Sequence, residues 1–295
     1  MTKSKNNEND ELGRREFVAL SVAAGVSVAA SAGTAMAKEL EVVETDVEVK
    51  MADGVCDAAF IHPKTGSHPG VLIWPDAFGL RPSLRAMGRR LAAEGYSVLV
   101  PNPFYRISKA PFTTASNFNF SNPDDMAKLR PLMGSVNAGD NPEKDAAAYV
   151  AFLDAQKQVD TKKKIGTQGY CMGGPLVVRT AASLPNRIGA GGSFHGGGLV
   201  TDKPESPHLL APKIKARMYI AVAANDDSRQ PEAKVKLKEA FEAAKVSAEV
   251  ELYATAQHGW CITDMPSGPT GPIYNQADAE KAWAKLLAMY KIALA

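Results

Sequence analysis

The chain has 295 residues, of which 45% are hydrophobic and 22% charged, a balance that excludes a largely disordered, collagen-like or coiled-coil protein. The formal net charge is only +2 and no basic cluster marks a face for nucleic acid, so no nucleic-acid partner is expected. Three cysteines, Cys56, Cys171 and Cys261, lie far apart with no Cys-x-x-Cys pair, which argues against a structural zinc site and leaves an odd thiol.

The first elements are those of a targeting segment. A polar start runs to Gly13 and leads into Arg14-Arg15-Glu16-Phe17. An apolar stretch follows from Ala19 to about Ala32, and the segment closes on Ala35-Met36-Ala37. This order of basic, apolar and small residues predicts an export signal over residues 1–37, and the paired arginines followed by Phe17 resemble a twin-arginine signal, addressed to the twin-arginine export machinery, with a plain secretory signal as the alternative. Residues 38–295 are then expected as the mature domain, in the periplasm. The apolar stretch is too short, and too rich in Gly and Ser, to span a bilayer.

Further along, strand and helix patterns alternate. Thr45–Met51 and Val55–His62 read as a hairpin around Asp53-Gly54. Val71–Trp74 is a continuous apolar run, the pattern of a strand buried on both faces. A helix is expected over 82–94 and a strand over 96–100. Residues 102–140 are polar and rich in Asn and Pro, and predict loops and short helices over the site. Helices are expected over 142–156, 174–183, 231–245 and 277–294, and strands over 164–169, 188–194, 218–223 and 248–253. The alternation implies parallel βαβ units, a mostly parallel central sheet with helices on both faces, and a site beyond the carboxyl ends of the strands.

The residues that carry chemistry fall at those ends. Gly169-Tyr170-Cys171-Met172-Gly173-Gly174 lies between a buried strand and an apolar helix, the glycine-x-nucleophile-x-glycine turn with Cys where Ser usually stands. The glycines are needed because the turn is too tight for side chains, and a helix N-terminus favours a thiolate. In an α/β-hydrolase fold the order is nucleophile, acid, histidine. Asp226-Asp227 follows the 218–223 strand and His258 follows the 248–253 strand. Both aspartates compete for the acid role; Asp226, first after the strand, is the expected orienter, with Asp227 a solvated turn residue. His195, in Phe194-His195-Gly196-Gly197-Gly198, imitates an oxyanion motif but lies downstream of the nucleophile, where that motif does not belong.

These residues resemble the dienelactone hydrolase family over nearly the whole chain from about Thr45. The resemblance is carried by Trp74-Pro75-Asp76-Ala77-Phe78-Gly79-Leu80, the cysteine turn, the Asp226 loop and His258-Gly259-Trp260. It implies hydrolysis of a small carboxylic ester or lactone through a Cys171 thioester, by a Cys171–His258–Asp226 triad with no metal or organic cofactor. It further implies an oxyanion hole from the backbone N–H groups of Ala77 and Met172, and Asp76 as a carboxylate that modulates the thiol. Arg106 and Trp260 are implied as substrate-binding residues. Ile262 stands where the family's dienelactone enzymes carry a second arginine, so a neutral acyl group is expected to be favoured. Other readings on the same fold are a thioesterase or peptidase and a non-catalytic binding protein. A monomer is expected.

Overall fold

The computed structural model describes residues 40–112, 118–268 and 271–295; the expected signal segment lies outside them. The domain opens with the hairpin of β1 (Val42–Met51) and β2 (Gly54–Pro63), whose tight turn falls on Ala52-Asp53, one residue earlier than the Asp53-Gly54 signal suggested. The other strands of the main sheet are β3 (Gly70–Trp74), β4 (Ser97–Pro101), β5 (Ile165–Tyr170), β6 (Ile188–Phe194), β7 (Arg217–Ala223) and β8 (Ala248–Tyr253). They form one sheet in the order β1-β2-β4-β3-β5-β6-β7-β8. Only β2 runs against its neighbours; every other pairing from β4 to β8 is parallel.

Successive side chains of a strand face opposite sides, and the sheet accordingly has two cores. From β3, Leu72 and Trp74 enter one core with Tyr149 and Leu153 of α3 (Asn141–Asp154), Leu176 and Val177 of α4 (Gly173–Ser183), and Phe241 of α6 (Ala233–Ala243). Val71 and Ile73 enter the other, with Leu84 and Leu91 of α1 (Pro82–Ala93) and Leu286 and Tyr290 of α7 (Gln276–Ala293). Trp74 is fully buried, and its Nε1 donates to Thr180 Oγ1 at 3.1 Å, so the polar edge of the largest core side chain is satisfied.

Two elements were not legible as such. Within the segment read as loops and short helices, α2 (Pro123–Asn137) runs for 15 residues. Its start is marked by Asn122, whose side chain accepts from the N–H groups of Asp124 and Asp125. Pro131 inside it masks the helical pattern of Leu129, Leu132 and Val136, which the tertiary core holds in place. The other is α5 (Ala224–Arg229), a short helix that begins directly where β7 ends, so Asp226 and Asp227 sit on a helical turn rather than in a loop.

The chain reverses direction in the sheet between β3 and β5: from β3 it crosses to β4 on one side, and later strands build outward on the other. At such a point two strand-end loops diverge and leave a crevice. Here the loops are those after β3, with Asp76 and Ala77, and after β5, with Cys171.

Candidate active site

The turn that carries Cys171 is set by sterics. Cys171 has φ +52°, a left-handed conformation that a non-glycine residue adopts only at a cost. It is enforced from both sides. A Cβ at Gly169 would lie 2.2 Å from the Gly173 carbonyl oxygen, and one at Gly173 would lie 2.4 Å from the Trp74 carbonyl oxygen. Only glycine lets β3, β5 and the start of α4 approach this closely. The backbone N–H groups of Ala77 and Met172, in the loops after β3 and β5, donate no hydrogen bond within the described residues.

The second half of the site comes from β7 and β8. His258 Nδ1 lies 2.7 Å from Asp226 Oδ2, and the His258 backbone N–H donates to Asn225 Oδ1 at 2.8 Å. Ala224 N–H donates to Ala256 O at 2.9 Å, locking α5 to the histidine loop. Asp227 points elsewhere: both its oxygens pair with Lys234 Nζ, at 2.6 and 2.7 Å. Asp226 is thus the residue in contact with the histidine. Burial opposes protonation of His258, but the nearby Cys171 sulfur and the Asp226 carboxylate outweigh it and push the imidazole up to about 10. The imidazolium of His258 is therefore favoured beside the Cys171 sulfur.

These groups border a cavity of about 420 Å³. Cys171, His195, His258 and Arg229 give it polar walls, and Phe78 and Phe120 apolar ones. Phe78, Phe118 and Phe120 pack edge to face at 4.9 to 5.6 Å between ring centres. Sequence reasoning passed over Phe120 and Arg229. The first sits in an unpatterned polar segment; the second was masked by the attention its loop drew to the aspartates.

Three expected roles need correction. Asp76 borders the cavity but is committed to other partners. Arg81 donates to both its oxygens, at 2.6 and 2.9 Å, and the Phe78 N–H donates to Oδ1 at 2.9 Å. Arg81 is buried and also grips Asp264 with two bonds of 2.9 Å. The charge of Asp76 is neutralised by this pair, and the network ties the Ala77 loop to the histidine loop. Arg106 does not border the cavity: its guanidinium donates to both oxygens of Asp145 at 2.7 Å and to Asp53 at 3.0 Å. Asp145 is almost fully buried, so it demands that cation and leaves none for a substrate. Trp260 is fully buried, stacked on Tyr253 at 5.1 Å and edge-on to His195 at 5.1 Å; it supports the wall from behind. Ile262 is likewise fully buried, and Cys261 lies in the core on the α1 and α7 side, its thiol pushed well up by burial. Among the described residues no group of three His, Cys, Asp or Glu side chains could hold a metal ion.

A sheet of this order, with a strained residue after β5 and an acid–histidine contact after β7 and β8, defines an α/β-hydrolase. The model of the dienelactone hydrolase family matches residues 56–294, and the chain belongs to that family. A candidate carboxymethylenebutenolidase of Methylorubrum extorquens is 28% identical over 285 residues, covering 93% of this chain and 91% of that protein. The carboxymethylenebutenolidase of Rhodococcus opacus is 24% identical over 251 residues, 83% of this chain and 90% of its own. Among solved structures, a candidate dienelactone hydrolase from Klebsiella pneumoniae superposes with a TM-score of 0.69 at 20% identity, over 85% of this chain and 99% of that one. The protein is a hydrolase of this family.

Proposed function

We propose that the protein cleaves a small carboxylic ester or lactone through a thioester on Cys171. The observation that carries this reading is the juxtaposition of a left-handed cysteine at a strand-to-helix turn with a histidine held by Asp226 at 2.7 Å, all bordering one cavity. The Cys171 sulfur attacks the carbonyl carbon, and the charge moves onto the carbonyl oxygen, which the free N–H groups of Ala77 and Met172 stabilise. The tetrahedral species collapses with cleavage of the carbon–oxygen ester bond, and the His258 imidazolium gives its Nε2 proton to the departing alkoxide. Neutral His258 then takes a proton from water as that water attacks the thioester; the carbon–sulfur bond breaks and the acid leaves. Asp226 keeps the imidazole in the Nδ1–H tautomer throughout. The strained cysteine and the two unengaged N–H groups have no use in a protein that only binds.

The test is a panel of esters and lactones on the mature protein beside Cys171→Ala, with acid-quenched mass spectrometry for the acyl-enzyme. The expected loss on substitution is on the order of a thousandfold or more. A folded Cys171→Ala variant that kept most of the activity would overturn the assignment. Export through the Arg14-Arg15 pair completes the proposal; replacing both with Lys is expected to strand precursor in the cytoplasm, and continued secretion would point to the general secretory route.

A further inference from the structure

We infer that His195 is a positioning residue for the nucleophile: its neutral ring holds the Cys171 backbone in place and so fixes both the sulfur and the adjoining Met172 N–H. The inference rests on the proposed role of Cys171. His195 follows β6 with φ +41°, and its backbone N–H donates to Ala221 O at 2.9 Å, which anchors it to β7. Its side chain is 1% exposed. Nδ1 accepts from the Cys171 N–H at 3.1 Å, and the same N–H reaches Phe194 O at 3.1 Å. The strained residue of the elbow is therefore held by two acceptors from the end of the neighbouring strand.

An accepting Nδ1 carries no proton, so the neutral ring must carry its proton on Nε2. That nitrogen is buried with no partner among the described residues. The groups packed on the ring are His258 at 5.0 Å between centroids, Trp260 at 5.1 Å and Tyr170 at 5.9 Å. Burial and the charge of His258 both hold the ring well below the usual histidine range. Protonation would remove the acceptor from Cys171 and set a second cation against His258. A residue there only to fill space needs no acceptor and would not bury an unpaired donor.

Two substitutions separate the acceptor from the backbone, because Asn and Gly both tolerate a left-handed conformation. His195→Asn keeps an oxygen near the position of Nδ1; His195→Gly does not. We expect His195→Gly to lose about 10- to 100-fold in kcat with KM nearly unchanged, and His195→Asn to stay within about threefold of the parent. Alkylation of Cys171 by iodoacetamide is expected to slow in the same order. Wild-type kcat and alkylation rate in His195→Gly, or equal losses in both variants, would overturn the inference. Should His195→Gly not fold, ¹⁵N-histidine spectra of the parent at neutral pH decide the matter: an Nε2–H tautomer with bare Nδ1 supports it, and an Nδ1–H tautomer or an imidazolium refutes it. Cys171→Ala is run alongside. Retained activity there would sink the ester-cleavage reading, while the alkylation rates still judge His195.

Discussion

The cavity has two kinds of wall. One is made of strand ends: Ala77, Cys171, His195 and His258, which follow β3, β5, β6 and β8, border it, and Asp226 after β7 holds His258 from behind. The other is apolar: Phe120, just ahead of α2, borders it and packs on Phe78 and Phe118, while other residues that follow β4 are tied away from it. Arg106 and Tyr105 both reach Asp145, and Asn102 reaches Asp57 at 2.8 Å. The first wall is built on the ends of the sheet; the second is a ring packed edge to face on other rings. Chemistry is expected to depend steeply on the first wall, whereas the second governs substrate fit and the Arg106 pairs, off the cavity, govern stability.

The largest effect should come from breaking the acid–histidine contact. Asp226→Asn leaves a side chain of the same shape but removes the charge that fixes the imidazole tautomer. In a serine protease the matching change costs about ten-thousandfold, and roughly a hundredfold or more is expected here. Asp227→Asn, which loses only its half-buried pair with Lys234 and no contact with the histidine, should stay within about twofold in kcat. Without Asp226 the imidazole falls from about 10, so the alkaline limb of kcat/KM moves to lower pH. The linked stability has the same sign: a raised histidine stabilises the fold fully below its unfolded value of about 6.5 and loses that contribution as the pH climbs through about 10. A pH–rate profile and a urea titration at several pH values check both parts; a larger kinetic loss at Asp227 would reverse the assignment.

The next test sets one wall against the other. Gly173→Ala puts a methyl group 2.4 Å from the Trp74 carbonyl oxygen, and backbone cannot yield as a flexible side chain can. The elbow must shift, with an expected loss of roughly a hundredfold in kcat and about 1–3 kcal/mol in stability. Phe120→Ala removes a half-exposed ring from the other wall and should change KM more than kcat. Similar kcat losses in both variants would show that the distinction between the walls is false.

The same division explains what the sequence discloses. Gly169 is glycine for a reason confined to one turn, the approach of the Gly173 carbonyl, and the alternation of elements implies a mostly parallel sheet, so the elbow and the sheet class can be read locally. The commitment of Arg106 to Asp145 is not legible, because nothing near Arg106 names a buried acid 39 residues away. Asp76 misleads in the same way: its neutralisation depends on Arg81, which reads as a helix-start residue until Asp264, 183 residues on, is seen to share it. Charged side chains were therefore assigned to substrate where the fold uses them on one another. Arg106→Met tests this. It leaves Asp145 buried with only the Tyr105 hydroxyl at 2.9 Å, and removal of one partner of a buried pair costs about 3–5 kcal/mol. A fall of several degrees in Tm with kcat and KM unchanged is expected; a raised KM at constant Tm would return Arg106 to the substrate.

The smallest effect concerns the one arginine that does border the cavity among the described residues. With Ile262 buried and Arg106 engaged, the arginine left to a substrate carboxylate among the described residues is Arg229, whose side chain is 72% exposed and lies 3.5 Å from Asp226 Oδ1. An exposed ion pair contributes about 0.2–1 kcal/mol, or roughly a 1.4- to 5-fold effect, because water and salt screen it and a long side chain must be ordered to make it. A carboxylate moved into the Phe78 and Phe120 side of the cavity loses more hydration than such a pair restores. A lactone or ester bearing a methyl-esterified group should therefore be cleaved with a higher kcat/KM than its free acid. Arg229→Gln should lower the free-acid value by no more than about fivefold. Because Arg229 also touches Asp226, the substitution perturbs the histidine for both substrates alike, and the ratio of the two kcat/KM values isolates the substrate contact. A wild-type preference for the free acid that collapses more than tenfold in Arg229→Gln would make this residue a true carboxylate anchor, and specificity would then be decided by charge rather than by fit.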